Sequence, residues 1–177
     1  MGATPQRSPL ADLWAFHQRM LDQCEALWRL VIYLGQSTPD AQSRLASEQL
    51  LAWFDQAGNA FTGEEELLYP ALVASLADED AHDVRELTGT LARRHRALDA
   101  LWSRLRRTIA CVAAGECRPE VIEAAGEYIR LMRRQIESEQ DTVLPLANEL
   151  IQEPDLSRIA QAVCARAGAT DGRWIAA

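Results

Sequence analysis

Apolar residues recur along this chain at the three- and four-residue spacing of one helical face, in four long segments. The first segment opens at Ser8-Pro9, where a capping side chain precedes a proline suited to the first helical position, and it ends at Gly35. The second opens in the same way at Thr38-Pro39-Asp40, the third runs from about 80 to 114, and Arg118-Pro119 opens the fourth. The positions predicted to be buried are Leu10, Leu13, Trp14, His17, Met20, Leu21, Cys24, Leu27, Trp28 and Val31 in the first segment; Leu50, Trp53, Phe54, Ala57, Phe61, Glu64 and Leu68 in the second; Val84, Leu87, Leu91, His95, Leu98, Trp102, Leu105, Ile109 and Val112 in the third; and Ile122, Ala125, Ile129, Met132, Ile136, Glu139, Val143 and Leu146 in the fourth.

This pattern predicts an all-α fold, an up-down-up-down four-helix bundle with a short C-terminal fifth helix. Pro154 interrupts the chain, and the stretch at about 155–167 supplies the fifth helix. Strand-like alternation is absent and no linker divides the sequence, so residues 1–177 are predicted to form a single domain with a core bundle at about 8–150. The tail from Gly168 is expected to be frayed.

Charge and composition then exclude several classes of function. The formal net charge of −8 argues against a nucleic-acid partner, because phosphate contacts need clustered Lys and Arg. The sequence has no run of 18 apolar residues, which a membrane span would need, and the start of the chain does not resemble a secretory signal. The expected location is therefore the cytoplasm. Cys24, Cys111, Cys117 and Cys164 lack zinc-type spacing and are interpreted as thiols. No Ser-His-Asp arrangement or glycine-rich phosphate loop appears, and enzyme activity is not favoured.

Four polar residues break the apolar stripes: His17, Glu64, His95 and Glu139, one on each predicted helix. A buried carboxylate has to be paired or bound to a metal, because otherwise its pKa shifts and it becomes neutral. Each of the two glutamates also stands six positions before a proline, Pro70 or Pro145, which predicts an equivalent depth in the bundle. Two Glu and two His on four helices are typical of a metal centre inside a helical bundle.

With these motifs the chain resembles the hemerythrin-like proteins of the HHE cation-binding family over nearly all of its length. In that family the first and third helices each offer a His, while the second and fourth each offer an H-x-x-x-E motif followed by a proline. His17 and His95 match the single histidines. Glu64 with Leu68-Tyr69-Pro70 and Glu139 with Val143-Leu144-Pro145 match the two carboxylate motifs. The resemblance implies a non-haem di-iron centre, bridged by the carboxylates, for oxygen binding, sensing or handling.

The chain departs from the family at two of six ligands. Ala60 stands where the second helix should offer its His, and Gln135 stands where the fourth should. The expected metal ligands are therefore His17, Glu64, His95 and Glu139, with Gln135 and Glu65 as accessory candidates. Glu65 itself is expected to point away from the core by roughly 100°. Iron, mononuclear or dinuclear, is the ion that the resemblance implies, and this ligand set also suits manganese or zinc.

Three functional interpretations stay open at this stage. The first is a retained but degenerate metal site that handles iron, dioxygen or another small ligand, or senses redox state. The second is a metal-free descendant in which protonated His and ionised Glu form a buried ion-pair cluster, with Gln135 donating one of its hydrogen bonds. The third is an interaction module whose activity lies on its surface. A homodimer is compatible with all three.

Overall fold

The computed structural model describes residues 8–77, 80–116, 121–170 and 173–174. Its helices are α1 (Ala11–Leu34), α2 (Ala41–Gly63), π1 (Glu64–Leu68), α3 (Tyr69–Ala74), α4 (Ala81–Ala113), α5 (Val121–Ser138), π2 (Glu139–Val143), α6 (Leu144–Leu150) and α7 (Glu153–Arg166). Two short strands, β1 (Ala169–Thr170) and β2 (Arg173–Trp174), form an antiparallel pair. The prediction of an all-α bundle with a fifth helix is confirmed. Within the stretch expected to be frayed, residues 169–170 and 173–174 form this strand pair.

Local sequence explains where the long helices begin and end. Asp40 caps α2: its side chain accepts a hydrogen bond from the backbone N–H of Ser43, and the Ser43 hydroxyl accepts one from the backbone N–H of Asp40. After α4, Gly115 adopts a φ of 91°, a left-handed conformation that glycine tolerates and that ends a helix. The predicted start signal of the fourth helix, Arg118-Pro119, and Cys117 lie outside the described residues. Cys24, Cys111 and Cys164 are free thiols.

The four long elements pack so that α1 contacts α2 and α5, and α4 contacts α2 and α5. Their apolar stripes form one core, which includes the fully buried Phe16, Leu91, Met132 and Ile136. Most of the predicted core positions are buried or half-buried. Within the described residues, no helix combines the length and the apolar character that crossing a bilayer requires.

Three of the predicted core residues are instead exposed. Trp14 is 42 % exposed, Trp28 37 % and Ile122 38 %, so the prediction that they are buried is wrong. Each lies at the margin of its stripe, and a large side chain there covers the edge of the core without entering it. The other two tryptophans of the stripes are half-buried, and the indole N–H of Trp102 donates a hydrogen bond to Asp55 at 3.0 Å.

Both carboxylate-bearing helices change their winding at the predicted glutamates. Glu64 is the first residue of π1 and Glu139 the first of π2, and in each turn the carbonyl of the glutamate accepts from an N–H five residues later, on Tyr69 or Leu144. A proline follows directly, Pro70 or Pro145. Proline has no N–H and its ring clashes with the carbonyl four residues earlier in an α-helix, so a wider turn ahead of it accommodates the ring without ending the helix.

The C-terminal helix α7 packs against α1, α2 and π1. The two backbones approach closely at Gly63, where an added Cβ would lie 3.2 Å from the Cα of Val163. An ion pair joins the same elements at the surface, with Arg166 Nη1 2.7 Å from Glu66 Oε2. The fifth helix therefore lies directly behind the residue that precedes Glu64.

Candidate metal centre

The four predicted ligands meet inside the bundle and are all buried, with His17 at 0 % and Glu64, His95 and Glu139 at 1 % exposure. His17 projects from α1 and His95 from α4, while the glutamates open the two π turns. Ligand atoms of His17, Glu64 and Glu139 lie within 4.8 Å of one another. The structure thus brings together all four residues that the periodicity singled out, while their role as metal ligands stays a prediction.

On the His17 side, the cluster consists of loose contacts. His17 Nε2 lies 3.4 Å from Glu64 Oε1 and 3.2 Å from Glu139 Oε2. Two ligands that are each about 2.1 Å from one first-row ion lie about 3.0–3.4 Å apart at angles near 90–110°. These separations are therefore those of atoms able to share one metal ion.

The His95 side is instead joined by short hydrogen bonds through Gln135, which is fully buried. Its amide nitrogen lies 2.6 Å from Glu139 Oε1 and 2.8 Å from His95 Nε2. The hydroxyl of Tyr69 donates to the same Glu139 oxygen at 2.7 Å. Glu139 Oε1 thus accepts two donors, and only its other oxygen is left without one.

A second carboxylate orients His95 from the outside. Glu65 Oε1 lies 2.9 Å from His95 Nδ1, so the ring donates its Nδ1–H to Glu65 and turns Nε2 inward. The ring of Phe61 stacks on His95 with centroids 4.4 Å apart, and the ring of Tyr69 lies nearly parallel at 6.0 Å. A metal-binding His typically has such a carboxylate on its outer nitrogen. Glu65 thus lies outside the four-residue centre, and the contact with the outer nitrogen of His95 is one that the sequence did not predict.

Among the described residues, the buried polar side-chain atoms without a hydrogen-bond partner all belong to this cluster. Across the described part of the chain, the buried side-chain atoms without a hydrogen-bond partner are His17 Nδ1, Glu64 Oε2, Gln135 Oε1 and Glu139 Oε2. A buried carboxylate oxygen without a partner carries a large desolvation cost, which a cation in the cluster would offset. The donor set of one imidazole and two carboxylates fits such an ion.

The pKa values of the two glutamates shift in opposite directions, although both residues stand six positions before a proline. Burial and the nearby charge of Glu139 raise the pKa of Glu64. Burial acts against ionisation of Glu139 as well, but the hydrogen bond and positive charge of His17 hold the pKa of Glu139 well below its usual range. Glu139 is therefore the ionised partner, and Glu64 is the group closer to neutrality.

The two histidines also differ. Burial lowers the pKa of His17, but Glu139 and Glu64 outweigh it and raise that pKa to about 9. The same balance raises the pKa of His95. Gln135 acts in the opposite sense there, because its N–H points at Nε2 and needs an unprotonated lone pair. We assign His95 as the neutral ring with its proton on Nδ1, since this form alone satisfies both short contacts.

Sequence reasoning missed the hydroxyl of Tyr69, which is buried and bonded to Glu139. Burial beside Glu139 raises the pKa of Tyr69 far above its usual value, so the phenol stays a donor. The available signal was the Leu68-Tyr69-Pro70 segment, in which a hydroxyl-bearing residue directly precedes the proline of the carboxylate motif. Ala60 is fully buried, and its methyl group offers no ligand.

A surface pocket of about 330 Å³ adjoins the cluster and is lined by Glu65, Tyr69 and Pro70 from one side and by Arg85, Thr88 and Gly89 from α4. The side chain of Glu65 is 29 % exposed, whereas His95, which it contacts, is buried. Glu65 and Tyr69 therefore connect the protein surface to the buried centre.

Comparison with known proteins agrees with this architecture. The family model of the hemerythrin HHE cation binding domain matches residues 8–147, which covers α1 to π2, the first part of α6 and all four predicted ligands. Among curated proteins and among solved structures, nothing matches the chain significantly. Because the match spans well over half of the 177 residues, the chain belongs to the hemerythrin HHE cation-binding domain family.

Proposed function

We propose that this protein binds a first-row transition metal ion, with iron as the expected ion, in the cluster of His17, Glu64 and Glu139. The observation that carries the proposal is the pair of buried carboxylate oxygens, Glu64 Oε2 and Glu139 Oε2, that have no hydrogen-bond partner within the described residues. The distances from His17 Nε2, 3.2 Å to Glu139 Oε2 and 3.4 Å to Glu64 Oε1, support it, because they suit ligands of one ion.

The role proposed for the bound ion is to bind or sense dioxygen or another small redox-active molecule. One imidazole and two carboxylates leave coordination positions open, and an iron ion would supply redox chemistry at those positions. The surrounding residues shape that site: Tyr69 holds a proton on its phenol beside Glu139, and the adjoining pocket supplies an approach from solvent. Fewer nitrogen ligands than a complete family site should weaken metal binding, so a stable oxygen-carrier spectrum is not expected.

Metal analysis with matched variants tests the binding step. Protein purified without a histidine tag from iron-supplemented growth should contain iron, and Glu64→Gln should remove it. Glu137→Gln is the control, because it changes the same charge on an exposed side chain two residues from Glu139. Loss of metal in both variants, or in neither, would contradict the proposed ligand set.

A metal-free ion-pair cluster is the second candidate, favoured by the 3.2 Å contact of His17 with Glu139 and by the raised pKa of His17. The two candidates respond oppositely to pH. A metal ligand must lose its proton, so metal affinity should rise as the pH approaches the His17 pKa of about 9. Stability that ignores chelator and falls over the same pH range would favour the ion-pair cluster instead.

A further inference from the structure

The two halves of the buried cluster are not equivalent, although the sequence repeats the same carboxylate and proline frame. On the His95 side, hydrogen bonds run without a break from Glu65 through His95 and Gln135 to Glu139. On the His17 side, the contacts with Glu139 and Glu64 are 3.2 and 3.4 Å long, and within the described residues His17 Nδ1 and Glu139 Oε2 have no hydrogen-bond partner. His95 is therefore tied to Glu139 by short hydrogen bonds through Gln135, whereas the contacts of His17 with the two glutamates are longer.

The amide of Gln135 is fixed in one orientation by its neighbours. An atom 2.6 Å from Glu139 Oε1 must carry a hydrogen, because two oxygens at that distance without a proton would repel. The amide nitrogen thus faces Glu139, and its second hydrogen points to His95 Nε2 at 2.8 Å. The lone pair of His95 that a metal would need is consequently already accepting a hydrogen bond.

His95 Nε2 itself lies 3.3 Å from Glu139 Oε1 and 3.6 Å from Glu64 Oε2, but the amide nitrogen of Gln135 lies closer to both His95 and Glu139 than a co-ligand would. Donor atoms around one first-row ion stand about 3.0–3.4 Å apart. The Gln135 contacts of 2.6 and 2.8 Å are shorter, and they are the lengths of direct charge-assisted and ordinary hydrogen bonds. An ion between these atoms would have to displace both bonds and turn the amide over.

We propose that the centre is mononuclear, with the amide of Gln135 closing the His95 half so that a single metal ion is held by His17, Glu64 and Glu139. The inference rests on the proposed metal-binding function and adds nuclearity to it. Gln135 is a positioning residue here: it replaces a second cation by donating to the same two atoms that the cation would bind. His95 and Glu65 become a support for Glu139 rather than a second metal site.

Counting ions per chain tests this directly. Metal-free protein is titrated with Zn²⁺, and separately with Fe²⁺ under anaerobic conditions, and native mass spectrometry gives the number of bound ions. The expected result is one ion for the wild type and for Gln135→Leu, which removes the amide but adds no ligand. Two ions are expected for Gln135→His, because the new imidazole faces His95 and Glu139 from the same position.

Nuclear magnetic resonance supplies a readout that does not depend on any variant folding well. The side-chain amide protons of Gln135 should exchange slowly with solvent, and both hydrogen bonds should persist when the wild type takes up one equivalent of Zn²⁺. Two ions in the wild type, one ion in folded Gln135→His, or loss of the amide hydrogen bonds on loading would overturn the inference. No bound ion in the wild type would instead overturn the proposed function itself, so the two failures are distinct.

Discussion

Replacing Glu139 by glutamine in the metal-free protein should cost far more stability than the same replacement at Glu64. Glu139 accepts short hydrogen bonds from Tyr69 and Gln135 and faces a protonated His17 at 3.2 Å. Charge-assisted hydrogen bonds exceed neutral ones by about 1 kcal/mol each, and leaving a buried charge unpartnered adds to that loss. We expect a total of about 3–5 kcal/mol for Glu139→Gln, the usual cost of breaking a buried ion pair.

Glu64 differs because its pKa is raised and one of its oxygens has no partner among the described residues. Glutamine resembles the protonated form of this side chain, so Glu64→Gln should change the free energy of unfolding by about 1 kcal/mol or less. With a urea m-value of about 2 kcal/mol/M, the midpoints should fall by about 1.5–2.5 M for Glu139→Gln and by about 0.5 M or less for Glu64→Gln.

The assay is urea unfolding followed by far-ultraviolet circular dichroism at pH 7 with chelator, and Glu137→Gln serves as the exposed control. Equal midpoint shifts for the two buried glutamates, or a larger shift for Glu64→Gln, would refute the assignment of unequal charge states. In the same series with Zn²⁺, the midpoint shifts of both buried variants should grow. Both buried variants should then lose the stabilisation from bound metal, about 2.7 kcal/mol at a free concentration 100 times the Kd.

Three further outcomes are expected. The raised pKa of His17, about 9 against 6.5, means that its ion-pair stabilisation is complete below pH 6.5 and is lost as the pH rises through 9, so the Tm of metal-free protein should fall across that range and stay flat in His17→Gln. Tyr69→Phe should destabilise the protein by about 1.5–3 kcal/mol, since it removes the donor to the ionised Glu139, and a change within error in urea unfolding would contradict that contact. Gly63→Ala should lower the free energy of unfolding by about 1 kcal/mol, because its Cβ meets the backbone of α7 at 3.2 Å. Gly58→Ala, with open space around it, should raise the free energy of unfolding by about 0.5–1 kcal/mol, and equal effects at the two positions would show that α7 does not approach closely.

The periodicity of apolar residues predicted both the fold and the convergence of the four polar residues in the core. Long amphipathic helices leave few ways to bury their stripes, and a His or Glu inside a stripe must follow its neighbours into the core. Hence His17, Glu64, His95 and Glu139 converge as the sequence indicates. The sequence could not indicate that Gln135 lies 2.6 Å from Glu139 while His17 lies 3.4 Å from Glu64, because side-chain rotamers set these distances.

The π turns explain another part of what the sequence could not indicate. The expected direction of Glu65 assumed 100° per residue, but Glu65 lies in a π segment, where each hydrogen bond spans one more residue. The exposure of Trp14 and Trp28 has a different cause. A stripe defines the centre of a buried face well and its margins poorly, and large side chains at the margin contact both core and water.

The family match ends at residue 147, yet α7, which begins at Glu153, lies behind the π1 turn that carries Glu64. Val163 packs against the backbone of Gly63, and Arg166 forms a surface ion pair with Glu66. The C-terminal helix α7 therefore contacts both residues that flank Glu64 and Glu65 along the chain. A chain that ended at residue 147 would keep every candidate ligand but would lose α7, which packs beside Glu64. The recognisable family segment is thus smaller than the unit that holds the centre in place.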